Sequence, residues 1–175
     1  MREVKIRPES PNDVLAIQTV NTAAFGQPNE AQLVNKLREN ATHFIPELSL
    51  VALMNNEIVG HILLTTNKIV DATGNEVESL SLAPMAVAPF LQKQGIGSQL
   101  VQHAIEKSKQ LGYHSIIVLG HEKYYPKFGF KPASTFGIKA PFEVPDDVFM
   151  ALELSTDALK NVAGMVHYPH EFMEV

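Results

Sequence analysis

Residues 80–111 constrain this chain more than any other stretch. LSLAPMAVAPFLQKQGIGSQLVQHAIEKSKQL reads as an apolar strand, a short loop with two closely spaced glycines, and an amphipathic helix. Ile96, Leu100, Val101, Ala104 and Ile105 make one apolar helical face, while Gln99, Gln102, Glu106 and Lys109 mostly face water. Ser115 to Leu119 follows as a short apolar strand, so the strands flanking the helix are predicted to be buried, parallel neighbours. A strand that feeds a helix through a glycine loop presents unpaired backbone N–H groups at the positive end of the helix dipole. That combination suits a phosphate-bearing ligand.

With 175 residues, 45% of them hydrophobic, the chain is long enough for one domain around one core. The 14 basic residues fall short of the 19 acidic ones, and a net charge of −5 argues against a nucleic-acid partner. The absence of cysteine excludes disulfides, thiol catalysis and thiolate metal sites. The opening MREVKIRPES lacks the apolar core of a secretory signal, and no apolar run is long enough to span a bilayer. The expectation is a cytoplasmic protein without a membrane partner.

Residues 4–7 read as a first strand, and Ser10-Pro11 opens a helix with a capping hydroxyl and a proline at its first position. Val14, Ile17, Val20 and Ala24 fit that helix's buried stripe. Residues 30–39 give a second helix burying Leu33, Val34 and Leu37. Residues 48–54 and 58–64 form a hairpin around Asn55-Asn56-Glu57, and residues 71–75 a second turn. Beyond Phe128-Gly129-Phe130 come a proline-punctuated stretch, a strand over 148–154 and a short amphipathic piece over 157–162. The predicted fold is α/β (α+β): a mixed, mostly antiparallel central sheet with helices on both faces. A single domain is expected over residues 1–175, its core at about 3–154 and a C-terminal extension at 155–175.

The glycine loop fits no other phosphate fingerprint. A dinucleotide loop needs a third glycine where Leu100 stands, and a triphosphate loop needs Gly-Lys-Ser/Thr where Gly97 is followed by Ser98-Gln99. A helix start using glycine only for packing remains the plain alternative. Pro84 adds to the argument. It interrupts an otherwise central strand, where proline removes a ladder hydrogen bond. A splay between strands four and five is therefore expected, with backbone groups around Met85, Ala86 and Val87 freed to pair with an extended, amide-bearing ligand. The pantetheine arm of coenzyme A is such a ligand. Its pyrophosphate would reach Gln92, Lys93, Gln94, Gly95, Ile96, Gly97 and Ser98, where Gly95 and Gly97 supply clearance and dihedral freedom.

Residues 82–89 followed by Gln92-x-x-Gly95-x-Gly97 resemble the acetyl-CoA motif of the GCN5-related N-acetyltransferases, Arg/Gln-x-x-Gly-x-Gly/Ala. Tyr125-Pro126-Lys127-Phe128-Gly129-Phe130 resembles the second signature of that family, a tyrosine four residues before Gly-Phe. The wording LAPMAV…VLG…YYPKFGF is similar to the YhbS-like branch. One usual feature is not evident: Gly120-His121-Glu122-Lys123 stands where the family places an asparagine, so the following helix must be short.

The resemblance implies an acetyl-CoA-dependent N-acetyltransferase fold and activity, with direct attack by an amine of a small molecule or protein and no metal. A non-catalytic acetyl-CoA-binding regulatory module is the alternative. Tyr125 would protonate the departing thiolate, or else serve as a core aromatic beside Phe128 and Phe130, with Tyr124 its adjacent competitor. Glu78 and Ser81 lie near the start of the fourth strand, where the family often places a base or a water-binding group. Phe25 and Glu30 lie where the first two helices border the acceptor pocket, and His121 follows the fifth strand. His167-x-x-His170 encloses Tyr168-Pro169, so that pair is not helical and no metal site is expected. The C-terminal extension is open to two roles, covering the acceptor site or pairing with a second copy in a homodimer.

Overall fold

The computed structural model describes residues 3–175. In chain order they form β1 (Lys5–Pro8), α1 (Val14–Phe25), α2 (Asn29–Arg38), β2 (Phe44–Met54), β3 (Glu57–Val70) and β4 (Glu76–Val87). Then come α3 (Ile96–Gln110), β5 (Ser115–Leu119), β6 (Lys131–Pro132), β7 (Ile138–Lys139), β8 (Phe149–Glu153) and β9 (Gly164–His167). The sheet is mostly antiparallel, with β4–β5 and β7–β9 parallel. The chain divides into two compact units, and β3 and β4 each run from one into the other.

The first unit holds the described residues up to Thr65, then Ala83–Lys107 and His170–Val175. β1 and β3 both lie antiparallel on β2. Asn55 and Asn56, at φ 53° and 64°, make the tight hairpin turn that asparagine permits. Ser10 donates to the Asp13 carboxylate through its N–H at 2.8 Å and its hydroxyl at 3.1 Å, and Arg7 joins at 2.6 Å. This cluster caps a 3₁₀ turn at Pro11–Asp13 that leads into α1. Ile17, Leu33, Val34 and Leu37 from the helices pack with Val51 and Leu63 from the strands.

Beneath α1 and α2 runs a polar chain that sequence patterning does not reveal. His61 is 0% exposed. The Arg38 guanidinium pairs with Glu9 at 2.7 Å, Glu9 accepts from the Ser49 hydroxyl, and Ser49 Oγ meets His61 Nε2 at 2.9 Å. On the other side His61 Nδ1 meets Asn21 Nδ2 at 3.1 Å, and Asn21 also donates to Ile17 O at 3.0 Å. Ser49 gives its proton to a carboxylate, so its oxygen accepts from Nε2–H, and Nδ1 accepts from the Asn21 amide. That is a neutral imidazole with both nitrogens used. Burial, with the Arg38 charge adding to it, holds the His61 pKa down at about 3. The unfolded chain therefore takes up a proton here below about pH 6.5 that the folded chain refuses until about pH 3. Stability is expected to fall as pH drops from about 7 through to about 3, and His61→Gln should flatten the decline in thermal melts. An equally steep decline in the variant would place the proton uptake on another group.

The second unit holds Thr66–Leu82 and Ser108–Pro169. β5 lies parallel to β4 and antiparallel to β8, which pairs in turn with β6. β9 runs antiparallel to the end of β3 and parallel to β7. Ile69, Ile117, Ile138, Phe149, Leu159 and Val166 are buried together. The expected amphipathic piece over 157–162 is a run of turns instead. Asp157 and Asn161 both take positive φ (58° and 63°), which no helix sustains, and the buried Leu159 anchors the segment. His167 ends β9 and His170 opens a four-residue 3₁₀ turn, so that pair shares no helix.

Candidate active site

In the first unit, β4 ends in Ala83–Val87 and turns into the glycine loop. Pro84 is buried and carries no N–H. Ala88 N–H donates to Val59 O at 2.8 Å, which ties the strand end to β3. Gln92 folds back so that its Nε2 donates to Val87 O at 3.1 Å. The glutamine of the motif thus fastens the loop to the strand it leaves. Lys93 and Gly95 take left-handed conformations, φ 64° and 88°, and α3 begins at Ile96. The α3 ladder opens with a bond from Gln99 N–H to Gly95 O at 3.1 Å. The first turn of α3 sits at the positive end of the helix dipole.

The two glycines differ in what they contribute. A Cβ on Gly95 would meet nothing within 4 Å among the described residues, so its φ is what calls for glycine there. Gly97 lies inside the first turn of α3 and is not left-handed, so the dihedral freedom expected of it goes unused. Lys93 bears the other left-handed conformation, and nothing in its residue type announced that.

In the second unit, the parallel ladder of β4 on β5 runs from Leu80↔Ile116 to Leu82↔Val118 and ends there, two residues before Pro84. Ser81 is buried, and its Oγ accepts from Asn67 Nδ2 at 2.6 Å, which leaves its own proton to give. Asn67 Oδ1 is buried without a partner among the described residues. Ser79, on the same face, meets Ser115 Oγ at 2.6 Å. Glu78 is exposed at the strand start, where its charge helps raise the Lys68 pKa after the larger effect of Glu76.

Tyr125 opens a 3₁₀ turn, Tyr125–Phe128, the short helix that the sequence required. It is 7% exposed, and Tyr124 is only half-buried. The Tyr125 ring meets Tyr124 edge-on at 5.1 Å and Phe130 at 5.6 Å. Burial above all, with Tyr124 adding to it, pushes the Tyr125 phenol well above its ordinary pKa, so it keeps its proton at neutral pH. His121 is exposed. A cleft of about 780 Å³ opens nearby in the sequence, among Lys139, Phe142, Glu143, Asp146 and Phe149.

Phe25, 40% exposed, ends α1, and both Glu30 oxygens accept from Gln27 at 3.0 Å in the first turn of α2. Among the described residues no three His, Cys, Asp or Glu side chains gather to hold a metal, and no helix is long and apolar enough to cross a membrane.

An open, mostly antiparallel sheet whose β4–β5 parallel ladder breaks off before a glycine loop is the fold of an acyl-CoA N-acyltransferase. The chain belongs to the acetyltransferase (GNAT) family, whose model matches residues 15–130. It is 38% identical over 137 residues to the uncharacterized N-acetyltransferase YjhQ of Escherichia coli K12, covering 78% of this chain and 75% of that one. It is 30% identical over 168 residues to the uncharacterized N-acetyltransferase YhbS of the same strain, covering 95% and 97%. The crystal structure of E. coli YhbS in complex with CoA superposes with a TM-score of 0.89 at 29% identity, over 99% of this chain and 93% of that one. A GNAT family acetyltransferase from Brucella melitensis in complex with acetyl-CoA gives 0.79 at 28% identity, over 98% and 99%.

Proposed function

We propose that the protein transfers an acetyl group from acetyl-CoA to a primary amine of a small molecule or protein, by direct attack in a ternary complex. The observation that carries this reading is the loop at 92–96, where two left-handed residues lead straight into the N-terminus of α3. Main-chain amides there suit a diphosphate, and the exposed Lys93 adds a cation. The CoA complex of YhbS and the acetyl-CoA complex of the Brucella protein support the same ligand here. Bound acetyl-CoA would supply an activated thioester.

The remaining chemistry falls to the chain. Residues 85–87 would offer strand-like N–H groups to the pantetheine amides and to the thioester oxygen. One such donor is worth about 2.7–4 kcal/mol as negative charge develops. Holding the reactants together contributes about 7–11 kcal/mol. Tyr125 would give its proton to the departing sulfur. A lysine-like amine costs about 4.6 kcal/mol to neutralise at pH 7, an α-amine only about 1. Glu78 as base and Ser81 as a water-binding hydroxyl would help the first kind most. Phe25, Glu30 and His121 are proposed to border the acceptor. The carboxylates of Glu143 and Asp146 in the cleft suit an ammonium group.

The test is release of free thiol from acetyl-CoA against a panel of amines, run beside thermal stabilisation by acetyl-CoA. Stabilisation with turnover on at least one amine is expected. Stabilisation without turnover on any would turn the reading into a binding module, and no stabilisation would end both.

A further inference from the structure

We propose that Gly120 is a positioning residue for Tyr125, its missing side chain fixing where the phenol hydroxyl stands. The proposal rests on the reading of Tyr125 as proton donor. A Cβ on Gly120 would lie 2.4 Å from Tyr125 Cε2, 3.0 Å from Cδ2 and 3.4 Å from Cζ. Gly120 is not left-handed, so its backbone accepts alanine, and the tyrosine ring is what excludes it.

Neither side yields cheaply. Gly120 N–H donates to Val148 O at 2.9 Å, which extends the Leu119↔Phe149 pairing and pins the end of β5 to the start of β8. The ring is held elsewhere by Tyr124 and Phe130, and Phe130 is itself buried. An added methyl must therefore push the ring by roughly 1 Å to reach ordinary contact, and the hydroxyl at its tip moves with it. A displacement of about 1 Å at a reacting group can cost roughly 10²-fold in rate. Gly120 acts through shape rather than through a polar contact.

Four proteins decide the matter: the parent, Gly120→Ala, Tyr125→Phe and the double variant. Gly120→Ala is expected to lower kcat by about 10²-fold with the KM for acetyl-CoA changed by less than about twofold. In the Tyr125→Phe background the same alanine should cost less than about threefold more, because the hydroxyl it displaces is already gone. Full kcat in Gly120→Ala beside a crippled Tyr125→Phe overturns the proposal and leaves the donor reading standing. Losses that multiply in the double variant overturn it too. Full activity in Tyr125→Phe overturns the donor reading and this proposal with it. Should Gly120→Ala fail to fold, adding Tyr125→Leu is expected to restore a cooperative thermal melt. Failure to restore it would show that the ring is not what requires glycine.

Discussion

Tyr125→Phe is expected to lower kcat by about 10²-fold or more with little change in acetyl-CoA affinity. The substitution isolates the hydroxyl. Phenylalanine keeps the ring that Tyr124, Phe130 and Gly120 enclose, so the thermal midpoint should stay close to that of the parent. A free thiol has a pKa of about 8.5 and a phenol about 10, so complete proton transfer to the thiolate runs uphill even before burial acts. Burial raises the phenol further. On the proposed reading the hydroxyl would therefore act by donating a hydrogen bond as negative charge gathers on sulfur, with the proton crossing late. A second readout follows from the sign of that shift. A phenol titrating above its ordinary value stays protonated through the assay range, so kcat of the parent should show no alkaline decline between about pH 7 and 9.5 from this group. Retained turnover in the variant would assign the proton to another donor.

Gly97→Val is expected to weaken acetyl-CoA binding at least tenfold, about 1.4 kcal/mol, with the fold intact. Gly97 is the cleaner of the two glycine probes because its conformation is helical. Valine suits an α-helix no worse than glycine does, so the helix itself should not suffer. The same change at Gly95 would strain a residue at φ 88° and deform the loop whatever it holds. Isothermal titration or thermal shift with CoA measures the effect. Unaltered affinity would mean that the diphosphate is held away from the first turn of α3.

The strand–loop–helix unit was legible because its apolar period switches cleanly at Gly95, and a buried strand followed by an amphipathic helix allows few arrangements. Pro84 likewise marked where the parallel ladder stops, since a residue without an N–H disfavours continued pairing. Apart from the strand expected over 148–154, which forms β8, the region from 131 to 169 was opaque for the opposite reason. β6 and β7 are two residues each, too short to carry any period, and Pro132, Pro141 and Pro145 mask the rest. The His61 chain was invisible in another way. Its members stand at positions 9, 21, 38, 49 and 61, so no local window contains them together. Histidine in a run of apolar strand residues says only that something polar must meet it. Gly120 was read as part of an absent asparagine motif, whereas its reason is the ring of a residue five positions later.

The polar chain under the first two helices has a bearing on engineering. Were α1 and α2 exchanged for those of a relative to recruit a different amine, the transplant would bring its own residues to positions 21 and 38 while leaving Glu9, Ser49 and His61 behind. A chimera lacking either the amide or the guanidinium would strand a charge or an imidazole in the dry interior, so these five positions have to be swapped together or not at all.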